Sequence, residues 1–238
     1  MATQALAVNR RWDKFYVGMA VGITAIIVWG FVPTYFLRPY YQTSELRPLL
    51  HLHGALFTSW LLLLIVQTSL VAAKRTDIHR RLGVAGAVLA VLMVVVGFIV
   101  AVHAARRGVA PLGIPALAFL VIPLGDITTF AILVGAALLN RAKPETHKRL
   151  MLLATLALLA PGVGRLPFAF ISGPIQIYAL VDAVLLICIL YDVITRKRVH
   201  PAYIWGGLFL VLSQPLRLAL SGTSAWMAFA QWLAKSSI

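Results

Sequence analysis

The chain has 238 residues, of which 61% are hydrophobic and only 12% charged, and its mean hydropathy is +0.91. Soluble domains carry about 25% charged residues, so this composition leaves no room for a soluble catalytic domain and describes a single integral membrane domain over residues 1–238. The formal charge of +14 is spread over short stretches between apolar runs, the pattern of membrane topology and not of nucleic-acid binding.

The first apolar run, Phe15–Phe36, follows Arg10, Arg11 and Lys14 and is too long for the apolar part of a cleavable signal, so it reads as a retained span. The second, Leu49–Ala73, opens with His51 and His53, and the third, Val84–Ala105, closes on His103. The fourth, Pro115–Asn140, carries Asp126 about eleven residues in, roughly 16 Å deep. The fifth, Met151–Ser172, holds Arg165 among Pro161, Gly162, Gly164 and Pro167. The sixth, Ile175–Thr195, contains Asp182 and the one cysteine, Cys188, which reads as a small buried packing residue. The seventh, Tyr203–Ser221, places Pro215 before Arg217. Each of the seven is long enough to cross about 30 Å of hydrocarbon. A shorter segment, Ala225–Ala234, carries Trp226 and Trp232 and reads as an interfacial helix. The expected fold is therefore all-α: a polytopic transmembrane helical bundle of about seven spans with a short C-terminal interfacial helix.

The loops alternate in charge. One side holds Lys74, Arg75, Arg80, Arg81, Arg141, Lys143, Lys148, Arg149 and Arg196 to Arg198, while the other holds only Arg38, Arg47, Arg106 and Arg107. The positive-inside rule puts the N-terminus, His79, His147 and His200 on the cytoplasmic side, and His51, His53 and His103 outside. The setting expected is a bacterial inner (plasma) membrane, with the lipid bilayer as the first partner.

Lone charges in hydrocarbon are costly and usually face a bundle interior. Asp126, Asp182, Arg165, Arg217, His51, His53 and His103 share the outer half of the bundle, and helix breakers flank three of the four charged residues. Two readings stand. The arginines and aspartates pair to hold the helices together, or they line a polar cavity where broken helices free backbone groups. Either way Arg165 is expected to meet Asp126 or Asp182. His51 and His53 lie about 200° apart on a helix, and Gly54 favours His53 as the inward one because it permits close approach.

The stretches Lys-Arg-Thr-Asp-Ile-His-Arg-Arg-Leu (74–82) and Arg-Ala-Lys-Pro-Glu-Thr-His-Lys-Arg-Leu (141–150) both place a histidine, basic residues and a leucine at an inner helix start. Separately, a helix opening with His-Arg-Arg-Leu-Gly (79–83) after a span opening with His-Leu-His-Gly (51–54) resembles bacterial multi-pass membrane proteins related to the transmembrane cytochrome b and ferric-reductase-like families. The likeness spans the second to fifth helices. It implies haem b held between histidines on different helices, with His79 and His147 as an inner pair. The outer cluster of His53, His103, His51, Asp126, Asp182, Arg165 and Arg217 is the first candidate cofactor site, with Arg165 and Arg217 available for propionates, and the inner pair is the alternative. The expectation is an electron-transfer protein binding haem b or a metal ion and exchanging electrons with quinone. The alternatives are a non-enzymatic accessory or assembly subunit of a membrane complex, and a small transporter. No nucleotide-binding glycine loop, nucleophile elbow or zinc-protease motif is present.

Overall fold

A computed structural model of the chain describes residues 2–41, 45–111 and 113–235, with side chains from residue 14 onward. Regular structure among the described residues is entirely helical: α1 (Ala2–Phe31), α2 (Pro48–Ala72), α3 (Thr76–Arg106), α4 (Ala116–Phe119), α5 (Val121–Leu139), α6 (Pro144–Leu156), α7 (Ala160–Val163), α8 (Pro174–Arg196), α9 (Pro201–Leu220) and α10 (Ser224–Lys235). Among the described residues, six segments are long and apolar enough to cross a membrane: Lys14–Phe36, Pro48–Ala72, Thr76–Arg106, Ala116–Leu139, Pro174–Arg196 and Pro201–Leu220. They match six of the seven expected spans. The chain packs as two compact units, Met1–Met93 and Val94–Ile238, whose boundary falls inside α3.

In the first unit α1 packs on α2. Tyr16, Ala20 and Ile23 are buried, and their spacing puts them on one helical face. Trp60, Leu61 and Leu64 are the buried residues of α2. After Phe31 the helix widens into one π-helical turn, Val32–Phe36, closed by Leu37 N–H donating to the Val32 carbonyl at 2.8 Å. This turn carries Tyr35 over Gly54 so closely that a β-carbon there would lie 2.3 Å from the ring. The residue that approaches Gly54 closely is Tyr35. α3 begins at Thr76, eight residues before the expected apolar start, so His79 and its basic neighbours lie on the helix itself.

The second unit is ordered by contacts between residues far apart in sequence. Gly206 of α9 lies against Leu133 of α5 and Leu150 and Leu153 of α6. Ser221 at the end of α9 donates to the Ala118 carbonyl at 3.0 Å, so α9 runs antiparallel to α5. His200 precedes α9 and meets Asp192 near the end of α8, while Gln214 meets Asp182, so α8 and α9 are antiparallel too. The start of α6, the end of α8 and the start of α9 thus share one end, which we call the basic end.

The expected fifth span, Met151–Ser172, is not one continuous helix. α6 stops at Leu156, Leu158 and Leu159 bond three residues back, and the short α7 follows with Pro161 near its start. Proline lacks the N–H that would continue the ladder, and its ring clashes with the carbonyl four residues back. Glu145 lies beside Arg196 at the basic end, and Gly164 lies against Ile177 near the start of α8 at the opposite end. The chain goes from one end to the other through α6, the break and α7. Seven of the thirteen residues of α6 are buried, Arg149 among them.

Candidate functional site

Seven polar or charged side chains are buried among the described residues: Asp126, Thr129, Arg149, Thr155, Asp192, Gln214 and Arg217. Most of them form two networks, both in the second unit.

The first network joins α5, α8 and α9 toward the end opposite the basic one. Arg217 donates through Nη1 to Asp126, and its Nη2 donates to Thr129 Oγ1 at 2.9 Å and Ser213 Oγ at 2.8 Å. Gln214 donates to Asp182 Oδ1 at 2.9 Å. Ser213, Gln214 and Arg217 fall within four residues on α9, one turn of helix, so α9 reaches α5 and α8 at one level. Gly125 makes room: a β-carbon on it would lie 2.4 Å from Arg217 Nε. Tyr178 of α8 is buried close enough to Asp126 and Arg217 to interact with both. A small cavity, with about 10 Å³ of room for a water centre, is lined by Asp126, Tyr178, Gln214, Arg217 and by Leu156, Ala157 and Ala160 at the α6–α7 break. Arg217 Nε has no acceptor among the described residues. The site therefore combines a buried carboxylate, a buried cation and a helix break.

The second network closes the basic end. Arg149 is fully buried and grips the equally buried Asp192 with two hydrogen bonds, Nε to Oδ2 at 2.9 Å and Nη2 to Oδ1 at 2.5 Å. Its Nη1 donates to the carbonyl and to the carboxylate of Glu145, both at 2.8 Å. Its guanidinium carbon lies 5.6 Å from the Tyr203 ring centre, within cation–π range. Glu145 also accepts from Lys148 at 2.7 Å and Arg196 at 2.8 Å. Partial burial works to raise the Glu145 carboxyl pKa, but the hydrogen bonds and charges of Lys148 and Arg149 outweigh it and hold the group down at about 2. His200 caps α9, its Nδ1 accepting from Ala202 N–H at 3.1 Å. Partial burial and the charges of Arg149 and Arg196 lower the His200 pKa.

Sequence-expected residues divide accordingly. Asp126 and Arg217 are brought together, while Asp182 meets Gln214 of α9. Arg165 does not take the place expected for it: it is exposed, its Nη1 donates to the Pro161 carbonyl at 2.7 Å, and Arg217 is the arginine that meets Asp126. The reason is the break at Pro161, beyond which the chain no longer keeps the helical phase that would aim position 165 at α5. His51 and His53 belong to the first unit. His51 is exposed with its carbonyl accepting from Tyr35, and His53 is half-buried with its ring 4.1 Å from that of Phe57. His103 is half-buried near the end of α3. His79 lies on α3 in the first unit, whereas His147, on α6, bonds the Ala137 carbonyl through Nδ1 at 2.8 Å.

Haem does not fit the Asp126–Arg217 network. Arg217 is committed to Asp126, Thr129 and Ser213, and the adjoining cavity has room for a water, not for a macrocycle. Among the described residues no group of three or more His, Cys, Asp or Glu side chains is placed to hold a metal ion. His200 is unsuited as a ligand in its capping role, since an accepting Nδ1 leaves the proton on Nε2. His147 differs, because its Nδ1 bond to the Ala137 carbonyl puts the ring proton on Nδ1.

Sequence reasoning missed Arg149 with Asp192, and also Tyr178, Thr129, Ser213 and Gln214. The signal for Asp192 was an acid in the last turns of an apolar run at its basic end, where a nearby base would be needed to neutralise it. No family model, curated protein or solved structure matches the chain.

Proposed function

We propose that the chain is a seven-crossing bacterial inner-membrane protein with its basic end in the cytoplasm, and that it works as a proton-linked carrier of a small anion. The observation that carries this reading is the buried Asp126–Arg217 pair beside the α6–α7 break. Ionisable pairs at broken helices mark proton and ion pathways in membrane proteins. A proton arriving at Asp126 neutralises the carboxylate. Arg217 keeps its neutral acceptors Thr129 and Ser213, but its charge is then unmatched in a low-dielectric site. A small anion supplies the missing charge, so proton and anion favour one another at the same place. The broken α6–α7 segment lines that place and is the element best able to move.

The test is flux in proteoliposomes holding a pH-sensitive dye, with chloride, nitrate and small carboxylates supplied outside. Wild type should carry protons with at least one of these anions, and Asp126→Asn should abolish that coupling. Proton flux no faster than in protein-free vesicles across the whole panel, or unchanged in Asp126→Asn, refutes the reading. Topology is checked by cysteine labelling: a cysteine in loop 141–143 should react from the cytoplasmic face only.

A second reading is favoured by His147, whose Nδ1 bond to Ala137 orients the ring as in many metal-bound histidines. On that reading His147 would be one of the residues that hold haem b, and the group would supply one-electron exchange with quinone. A Soret band in purified wild type that His147→Ala removes would favour it over the carrier.

A further inference from the structure

The C-terminal helix α10 is fixed against one end of the second unit, and the way it is held forms a pocket. Ala230 and Leu233 are buried with Ala101, Val102 and Ala105 of α3 and with Leu120. Trp226 donates through Nε1 to the Leu117 carbonyl at 2.9 Å. Arg106, at the end of α3, donates to the Leu233 carbonyl at 3.3 Å. Between these elements lies an open pocket of about 330 Å³ lined by Ala105, Arg106, Leu117, Gln231, Ala234 and Lys235. That volume lies within the range of small-ligand sites, roughly 300–1,000 Å³.

The lining is chemically two-sided. Arg106 and Lys235 are cations, Gln231 offers an amide, and none of the six residues is acidic. Ala105, Leu117 and Ala234 supply an apolar floor. The C-terminal end of a helix ordinarily disfavours an anion, and here Arg106 offsets that field by bonding one of the last carbonyls of α10. On the outer surface of α10, Phe229 and Trp232 are 45% and 63% exposed. The indole of Trp232 favours the headgroup level of a bilayer.

A free phosphate would be satisfied by the two cations but would leave the apolar floor uncovered. An amphiphile covers both. We infer that this pocket binds the phosphodiester headgroup of an anionic membrane phospholipid. Arg106 and Lys235 neutralise the phosphate, Gln231 bonds a headgroup hydroxyl, and Ala105, Leu117 and Ala234 meet the glycerol and first methylenes. The inference is independent of the carrier reading, since it involves none of the residues around Asp126.

Native mass spectrometry of the detergent-purified full chain tests it, with phosphatidylglycerol and phosphatidylcholine of identical acyl chains as probes and inorganic phosphate as a third. Wild type should retain one phosphatidylglycerol at least about fivefold more tightly than phosphatidylcholine. Lys235→Gln should weaken it about fivefold, the factor expected of one basic residue at an anionic surface. Lys235 is exposed, so this variant should keep the wild-type melting temperature. Arg106→Lys, which retains the charge, should bind more tightly than Arg106→Gln. Equal affinity for the two lipids, unchanged binding in Lys235→Gln, or inorganic phosphate bound as tightly as phosphatidylglycerol overturns the inference.

Discussion

Replacing Asp192 by alanine should be among the most damaging single changes in the second unit. Both Arg149 and Asp192 have fully buried side chains, and two hydrogen bonds join them. Asp192→Ala strands two N–H groups of a buried guanidinium and removes its buried counter-charge, leaving the half-exposed Glu145. Charge-assisted hydrogen bonds contribute about 1.5–3 kcal/mol each, and breaking a buried pair from one side costs about 3–5 kcal/mol. The expected loss is in that range, equivalent to a fall of about 10 °C in melting temperature. Removing both charges is a different perturbation. Arg149→Met with Asp192→Leu fills the same space with apolar atoms and leaves no stranded charge, so the double variant should melt well above Asp192→Ala. Wild type, Arg149→Met, Asp192→Leu and the double variant form a cycle that can be compared, alongside Asp192→Ala, by thermal unfolding in one detergent. A loss below about 1 kcal/mol for Asp192→Ala, or a double variant as unstable as the sum of the singles, would refute the account of a mutually dependent buried pair.

Glu145 has a folded-state pKa of about 2 against an ordinary 4.5. Its contribution is therefore complete above pH 4.5 and is lost as pH falls toward 2. The stability gap between wild type and Glu145→Gln should be about 1 kcal/mol at neutral pH, given its exposure, and close in melts taken across that window. His200 has its pKa lowered below 6.5, so its stabilising neutral form is complete above pH 6.5 and is lost as pH falls below that value. Protonation removes the Nδ1 acceptor that caps α9, worth about 1 kcal/mol; His200→Asn, which caps without titrating, should flatten this part of the pH profile. Gly125→Ala would drive a β-carbon into the Arg217 side chain. It should cost about 1–3 kcal/mol by overpacking, whereas Gly135→Ala, which meets nothing within 4 Å, should be neutral or mildly stabilising in the same melts.

The sequence by itself determined the properties that depend on local composition. Six of the expected spans are helices because an apolar run of twenty or so residues satisfies its own backbone only that way. The break in the fifth expected span was legible in Pro161, Gly162, Gly164 and Pro167, since proline acts on the turn in which it stands. Gly54 permits a close approach, but nothing local named Tyr35 as the side chain that makes it. Partner choice was decided only by the tertiary structure. Asp126 and Arg217 are 91 positions apart, and Arg149 and Asp192 are 43 apart. Whether such residues meet depends on how each helix is rotated and how far it slides along its neighbour. One residue of offset turns a side chain by about 100°, so no reading of separate apolar runs fixes that phase. Arg165 and Arg217 look alike in sequence, each beside a proline, yet only the second stays on a continuous helix whose antiparallel packing against α5 brings it level with Asp126.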